Sequence, residues 1–239
     1  MEDGKEMIKV LHEDNHLLFV EKPVNMPVQE DSSKDLDLLT ASKQYIKETY
    51  NKPGNVYLGL VHRLDRPVGG CMVFAKTSKA ASRLSDLIRR NKMDKTYLAV
   101  LDGVPSKKSG TLVDYLVKNK KTNMVKTTNE KEGKKSILHY EVLEVVDGMS
   151  LVKIHLETGR SHQIRVQFSS RNTPLVNDQR YNLHAKKGQI ALWAYHLEFD
   201  HPVQKVPVGV TSLPPMSYPW NRFEVIEHEY KKAQEEKTL

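Results

Sequence analysis

Asp147-Gly148 divides two runs of mixed apolar and polar residues, "LHYEVLEVV" before it and "SLVKIHLETG" after it. An Asp-Gly pair accepts the left-handed backbone of a two-residue hairpin turn, so the segment reads as two antiparallel strands. In the second run Val152, Ile154 and Leu156 alternate with Lys153, His155 and Glu157, which buries one face and wets the other. Gly159 ends that strand.

More strands are expected around this hairpin. Leu17 to Val20 form a short apolar run, and Pro23 and Pro27 then impose an extended loop. "GGCMVFAK" follows Gly69-Gly70, "KTYLAVLDG" closes on Asp102-Gly103, and "QIALWAYHLEF" sets Trp193, Tyr195 and Leu197 on one face. Helices are fewer. "DLDLLTASKQYIKETY" puts Leu38, Ala41, Tyr45 and Ile46 on one stripe, and "KAASRLSDLIRR" follows a Ser78 cap. Ser161 is expected to cap a helix through "HQIRVQFSS", and the tail "EHEYKKAQEEKTL" reads as a frayed, solvated helix. The strand–helix alternation of a doubly wound sheet is missing, as is any Pro/Gly/Ser-rich linker. The expectation is an α+β fold: a single domain over residues 1–239, core about 10–225, with helices and loops around a mixed, mostly antiparallel sheet.

Charge points to the partner. The 239 residues carry 37 Lys+Arg against 30 Asp+Glu, a formal net charge of +7. A basic surface favours polyanions, nucleic acid first and anionic membrane or acidic protein second. No apolar run is long enough to span a membrane, and the charged start "MEDGKEMIKV" lacks the apolar stretch of a signal peptide. The lone Cys71 has no partner for an internal disulfide, which fits a reducing compartment. A cytoplasmic protein is expected.

P-loop, dinucleotide, H-E-x-x-H, paired-cysteine and G-x-S-x-G patterns are all absent, so neither a cofactor nor a metal is expected. His62, His155 and His162 read as structural or substrate-contacting groups. Three stretches remain. In "HRLDRPVGG" Asp65 lies between Arg63 and Arg66; the cations favour its ionised form, Pro67 stiffens the loop, and Gly69-Gly70 lets backbone pass close by. The same residues also suit a surface ion-pair cluster before a turn. In "KTYLAV" Tyr97 begins a strand, where a tyrosine is ordinarily core or half-buried cover. In "GRSHQIRV" Ser161 and Arg165 stand at i and i+4 near a helix start, where the backbone attracts anions. An arginine there also serves as surface decoration.

Taken in order, "EKPVNMPV", "HRLDRPVGG", "FAKT", "KTYLAV" and "GRSHQIRV" resemble the RluA-type RNA pseudouridine synthases over roughly residues 10 to 225. The resemblance implies isomerisation of chosen uridines in ribosomal or transfer RNA, within a catalytic domain holding a central RNA-binding cleft. It implies that Asp65 is the essential aspartate, Tyr97 stacks on the target base, and Arg165 pairs with the catalytic carboxylate. Arg63 is implied to take the place of the displaced nucleotide, and Arg66, His62 and His162 join it as candidate RNA contacts. The Lys- and Asn-rich stretch "VKNKKTNMVKTTNEKEGKKS" lies where that family has an RNA-gripping insertion. The family pattern departs at Ser161, at Gln167 and in "PLVNDQRYN", and no room is expected for the S4 domain many members carry. A monomer without an obligate protein partner is the expectation. Two other readings compete: a non-catalytic RNA binder on this scaffold, and a glycosidase, which would need a second positioned carboxylate.

Overall fold

The structure is a computed structural model that describes residues 8–236. In chain order its elements are β1 (Lys9–Glu13), β2 (Leu17–Lys22), α1 (Leu38–Thr49), β3 (Gly59–Leu60), β4 (Gly69–Ala75), α2 (Ser78–Arg89), β5 (Met93–Asp102), β6 (Ser109–Lys118) and β7 (Val125–Thr128). There follow β8 (Lys134–Val146), β9 (Met149–Leu156), α3 (Gln163–Ser169), β10 (Leu192–Asp200), β11 (Pro207–Thr211) and α4 (Glu224–Glu235). This is the expected α+β fold. It divides into two compact units: residues up to Lys95 with Ala194–Ser212, and Thr96–Trp193 with the residues from Leu213 on. The chain passes between the units inside β5 and inside β10.

In the first unit β4 lies between β2 and β10, with β1 and β11 outside them. The registers of β1–β2, β2–β4 and β10–β11 are all antiparallel. Leu17, Phe19, Val73, Leu84, Leu197 and Phe199 form one buried cluster that joins these strands to α2. Gly70 explains the glycine pair in "HRLDRPVGG": its φ is +116°, and a Cβ there would lie 2.2 Å from the Ala194 carbonyl oxygen. Only glycine allows that close approach.

The second unit is built on β5–β9–β8–β6–β7. Its β8–β9 hairpin turns at Asp147 and Gly148, with φ of +51° and +76°, and Val146 pairs with Met149. These are the two positive φ values a type I′ turn requires. The Lys/Asn-rich stretch folds as an exposed hairpin, Val117 pairing with Lys126 between β6 and β7.

Three local expectations need correction. The cap of α2 is Thr77, whose side chain accepts from the Ala80 amide, and Ser78 is the first helical residue. Ser161 does not cap α3. That seven-residue helix starts at Gln163 after His162, which is left-handed at φ 52°, and the Gln163 side-chain Oε1 accepts from the Arg160 amide (3.0 Å). β5 begins at Met93, so Tyr97 stands in mid-strand opposite Ile154. The tail forms α4 with Ile226 buried and the Tyr230 hydroxyl donating to the Pro214 carbonyl (2.7 Å); residues 237–239 lie outside the described residues. Among the described residues no helix is long and apolar enough to cross a membrane.

Candidate active site

Asp65 sits in the connection from β3 to β4, half-buried, with Leu64 turned into the core beside it. Its carbonyl accepts from the Val68 amide (2.9 Å), closing a tight turn across Pro67. The short "HRLDRPV" segment therefore alternates its side chains: Val61 and Leu64 pack inward, while Arg63 and Arg66 are exposed.

The two arginines differ in what they touch. Arg66 is engaged: Nε donates to the Asn25 carbonyl (3.1 Å), Nη1 donates to Ser33 Oγ (2.9 Å), and Asp31 and Asp35 pair with it. Those carboxylates hold its pKa above the usual guanidinium value. This cation fastens the 25–35 loop to the Asp65 turn. His62 is likewise spoken for, because its Nε2 accepts from the Val73 amide of β4 (3.1 Å). Burial, with the Lys95 charge adding to it, pushes the His62 pKa down to about 4, so the ring is neutral near pH 7.

Sequence reasoning did not single out Lys22, the last residue of β2. It is fully buried, and its Nζ donates to the carbonyls of Pro23 (2.8 Å) and Arg66 (2.9 Å). Burial lowers its pKa to about 7, opposed by the attraction of Asp65 and assisted by the Arg66 charge.

In the second unit Tyr97 is half-buried on β5. Arg165 is the third residue of α3 and is buried, 5% exposed. Its guanidinium forks onto Asp178, Nε to Oδ2 (2.8 Å) and Nη2 to Oδ1 (2.7 Å). The same fork lies over the Tyr181 ring, 5.1 Å from the centroid. His162 shares a 2.6 Å hydrogen bond with the Tyr181 hydroxyl, which also accepts from the Val125 amide (2.9 Å). Arg165 and His162 thus meet around Tyr181, and both are framed from within rather than displayed on the surface. Planar, two-point pairing fixes the guanidinium plane far better than a lysine would.

Asp178 and Tyr181 come from "PLVNDQRYN". There Asn177 takes the left-handed conformation, φ 59°, that a glycine would otherwise supply. Asn182 ties the end of the turn down by donating to Asp102 Oδ2 and the Leu175 carbonyl, both at 3.1 Å. Gln167 donates to Asp114 Oδ2 (2.8 Å). Among the described residues no group of three or more His, Cys, Asp or Glu is placed to hold a metal ion.

Residues 16–170 match the sequence family described as RNA pseudouridylate synthase. The ribosomal large subunit pseudouridine synthase D of Pseudomonas aeruginosa is 31% identical over 229 residues, covering 89% of this chain and 70% of that protein. An RNA pseudouridine synthase of Zymomonas mobilis is 30% identical over 88% of this chain and 95% of its own. Among solved structures, human RNA pseudouridylate synthase domain containing 4 superposes with a TM-score of 0.74 at 21% identity, covering 87% of this chain and 88% of that one. That likeness speaks for the fold.

Proposed function

The chain belongs to the RNA pseudouridylate synthase family, and from that premise we propose that it isomerises particular uridines to pseudouridine in structured RNA, with Asp65 as the essential acid. The observation that carries this reading is the family match across residues 16–170, which takes in Asp65, Tyr97 and Arg165 together. Ribosomal RNA is the favoured substrate, since the Pseudomonas relative is named for the large ribosomal subunit. RNA is the only partner the reading requires, and the cytoplasm is its place of action.

The reaction breaks the N1–C1′ glycosidic bond, turns the freed uracil and joins its C5 to C1′, while C5 loses its proton and N1 gains one. Atoms and electrons balance within the nucleoside, so no redox partner or group donor enters. An anionic oxygen at C1′ and a surface that retains the base are required. Asp65 supplies the oxygen, either attacking C1′ or taking a ribose proton; both routes use the same carboxylate on the same stiff turn. Tyr97 stacks on the uracil while it turns. Asp178 holds the Arg165 guanidinium in one plane, which suits it to the carboxylate-pairing role that the family resemblance implies for it. A paired or stacked uridine is out of reach, so it is extruded at a cost of a few kcal/mol, which Arg63 offsets by filling the gap. The basic β6–β7 hairpin grips phosphates.

The test is a transcriptome-wide pseudouridine map of cells with and without the gene. Sites that vanish with the gene and return with the wild-type copy are expected. An unchanged map overturns the proposal.

A further inference from the structure

A lysine is almost never buried without a partner, because removing an ammonium from water costs more than its methylene chain gains. Lys22 is 0% exposed at the end of β2. Across the ladder it faces Gly70, which has no side chain to compete for the space. One of its two hydrogen bonds reaches the Arg66 carbonyl (2.9 Å), in the peptide that joins Arg66 to Pro67, one residue beyond Asp65. An ammonium has three donors, and the Pro23 and Arg66 carbonyls take two. The negative charge of Asp65 attracts the ammonium and favours its protonated form.

We propose that Lys22 is a positioning residue for Asp65: its buried ammonium fixes the Asp65–Pro67 turn through the Arg66 carbonyl and draws the carboxylate into its reactive orientation. The inference rests on Asp65 being the reactive acid. Other charges nearby are already committed. Glu21, the preceding residue, is held by Lys9 (2.8 Å) and Ser212 (2.6 Å), and the Arg66 guanidinium is bound by Asp31, Asp35 and Ser33.

The proton on Lys22 then acts as a switch. A neutral amine still donates to both carbonyls, so the turn persists, but the pull on the carboxylate is lost. With its pKa lowered from 10.5 to about 7, Lys22 supports Asp65 below about pH 7 and progressively less above it. Stability moves the other way. Between about 7 and 10.5 the unfolded chain holds a proton that the folded chain has released, so this group makes folding more favourable as pH rises. Activity that falls while stability rises separates positioning from a purely structural role.

The experiment measures single-turnover pseudouridine formation between pH 6 and 9, by mass spectrometry, in total RNA from cells lacking the gene. Wild type, Lys22→Met and Asp65→Asn are compared. The wild-type rate should fall through a limb near pH 7 that Lys22→Met lacks. Below that limb Lys22→Met should be slower by roughly 10- to 100-fold, the loss of a buried charge with its hydrogen bonds, and above it the gap should narrow to what the two missing carbonyl bonds alone cost. In parallel, the lysine Cε signals of the wild-type protein are titrated by NMR. One should titrate near 7 and move lower in Asp65→Asn, which removes the attraction that favours the ammonium. An active Asp65→Asn overturns the catalytic reading itself. An inactive Asp65→Asn, with Lys22→Met matching the wild-type pH profile, overturns this inference alone. If Lys22→Met does not fold, the absence of a lysine that titrates near 7 and shifts in Asp65→Asn overturns it.

Discussion

Asp178→Ala removes the carboxylate on which Arg165 is forked. Both side chains are out of water, 6% and 0% exposed, and the two bonds are 2.8 and 2.7 Å. Asp178 Oδ1 also accepts from the backbone amides of Arg180 (3.1 Å) and Tyr181 (3.3 Å), so the variant loosens the turn that carries Tyr181. Stripping one partner from a buried pair costs about 3–5 kcal/mol. For a chain of this size each kcal/mol lowers the melting temperature by about 2–4 °C, so a fall of roughly 6–20 °C is expected. Thermal melts and urea titrations followed by circular dichroism read this directly. Replacing both partners with apolar residues, Arg165→Met with Asp178→Leu, should recover much of the stability, because well-packed apolar side chains then take the place of two desolvated charges. Turnover should stay low in both variants, since neither presents an oriented guanidinium. A loss below about 1 kcal/mol for Asp178→Ala, the value of an exposed ion pair, would refute the claim that this pair is what holds Arg165.

Tyr97→Leu should lower the single-turnover rate more than it weakens RNA binding; equal losses in the two assays would refute the stacking role. Cys71 is buried, its Sγ lies 3.4 Å from the Tyr195 carbonyl oxygen, and burial pushes its thiol up to about 12. Iodoacetamide at pH 8 should leave it unlabelled until the protein unfolds, and labelling of the native protein at the rate of a free thiol would contradict this packing. Neutralising exposed Lys118, Lys120 and Lys121 of the basic hairpin should flatten the salt dependence of RNA binding by about 0.7–0.9 per lost phosphate contact. Weaker binding with an unchanged salt slope would show that these lysines do not meet phosphates.

Much of the fold could be read because its strongest signals are local. Asp147-Gly148 names its own turn, and the alternation from Val152 to Leu156 names the face. Gly70 signalled a close approach, although only the structure identifies Ala194 as the neighbour. Helix α3 was misread because an accepting side chain was expected at its start, whereas His162 enters the left-handed region and Gln163 bonds back to Arg160. The two units left no linker signature because the chain crosses from one to the other within β5 and β10. Asp65, Tyr97 and Arg165 stood out by order and spacing. Lys22 and Asp178 did not, because their significance lies in what they touch: Lys22 meets a peptide 44 positions away, and Asp178 meets a guanidinium 13 positions away. Arg66 and His62 stand in the motif as candidate RNA contacts, and the structure adds what the sequence does not show: Arg66 bonds to the 25–35 loop and His62 to β4.

The account stands on a single carboxylate. Asp65→Asn keeps the shape of the side chain and takes away its negative charge, so the protein should fold, bind RNA as the wild type does, and form no pseudouridine on the RNA of cells lacking the gene. Wild-type pseudouridine formation by purified Asp65→Asn, counted by mass spectrometry, would contradict it.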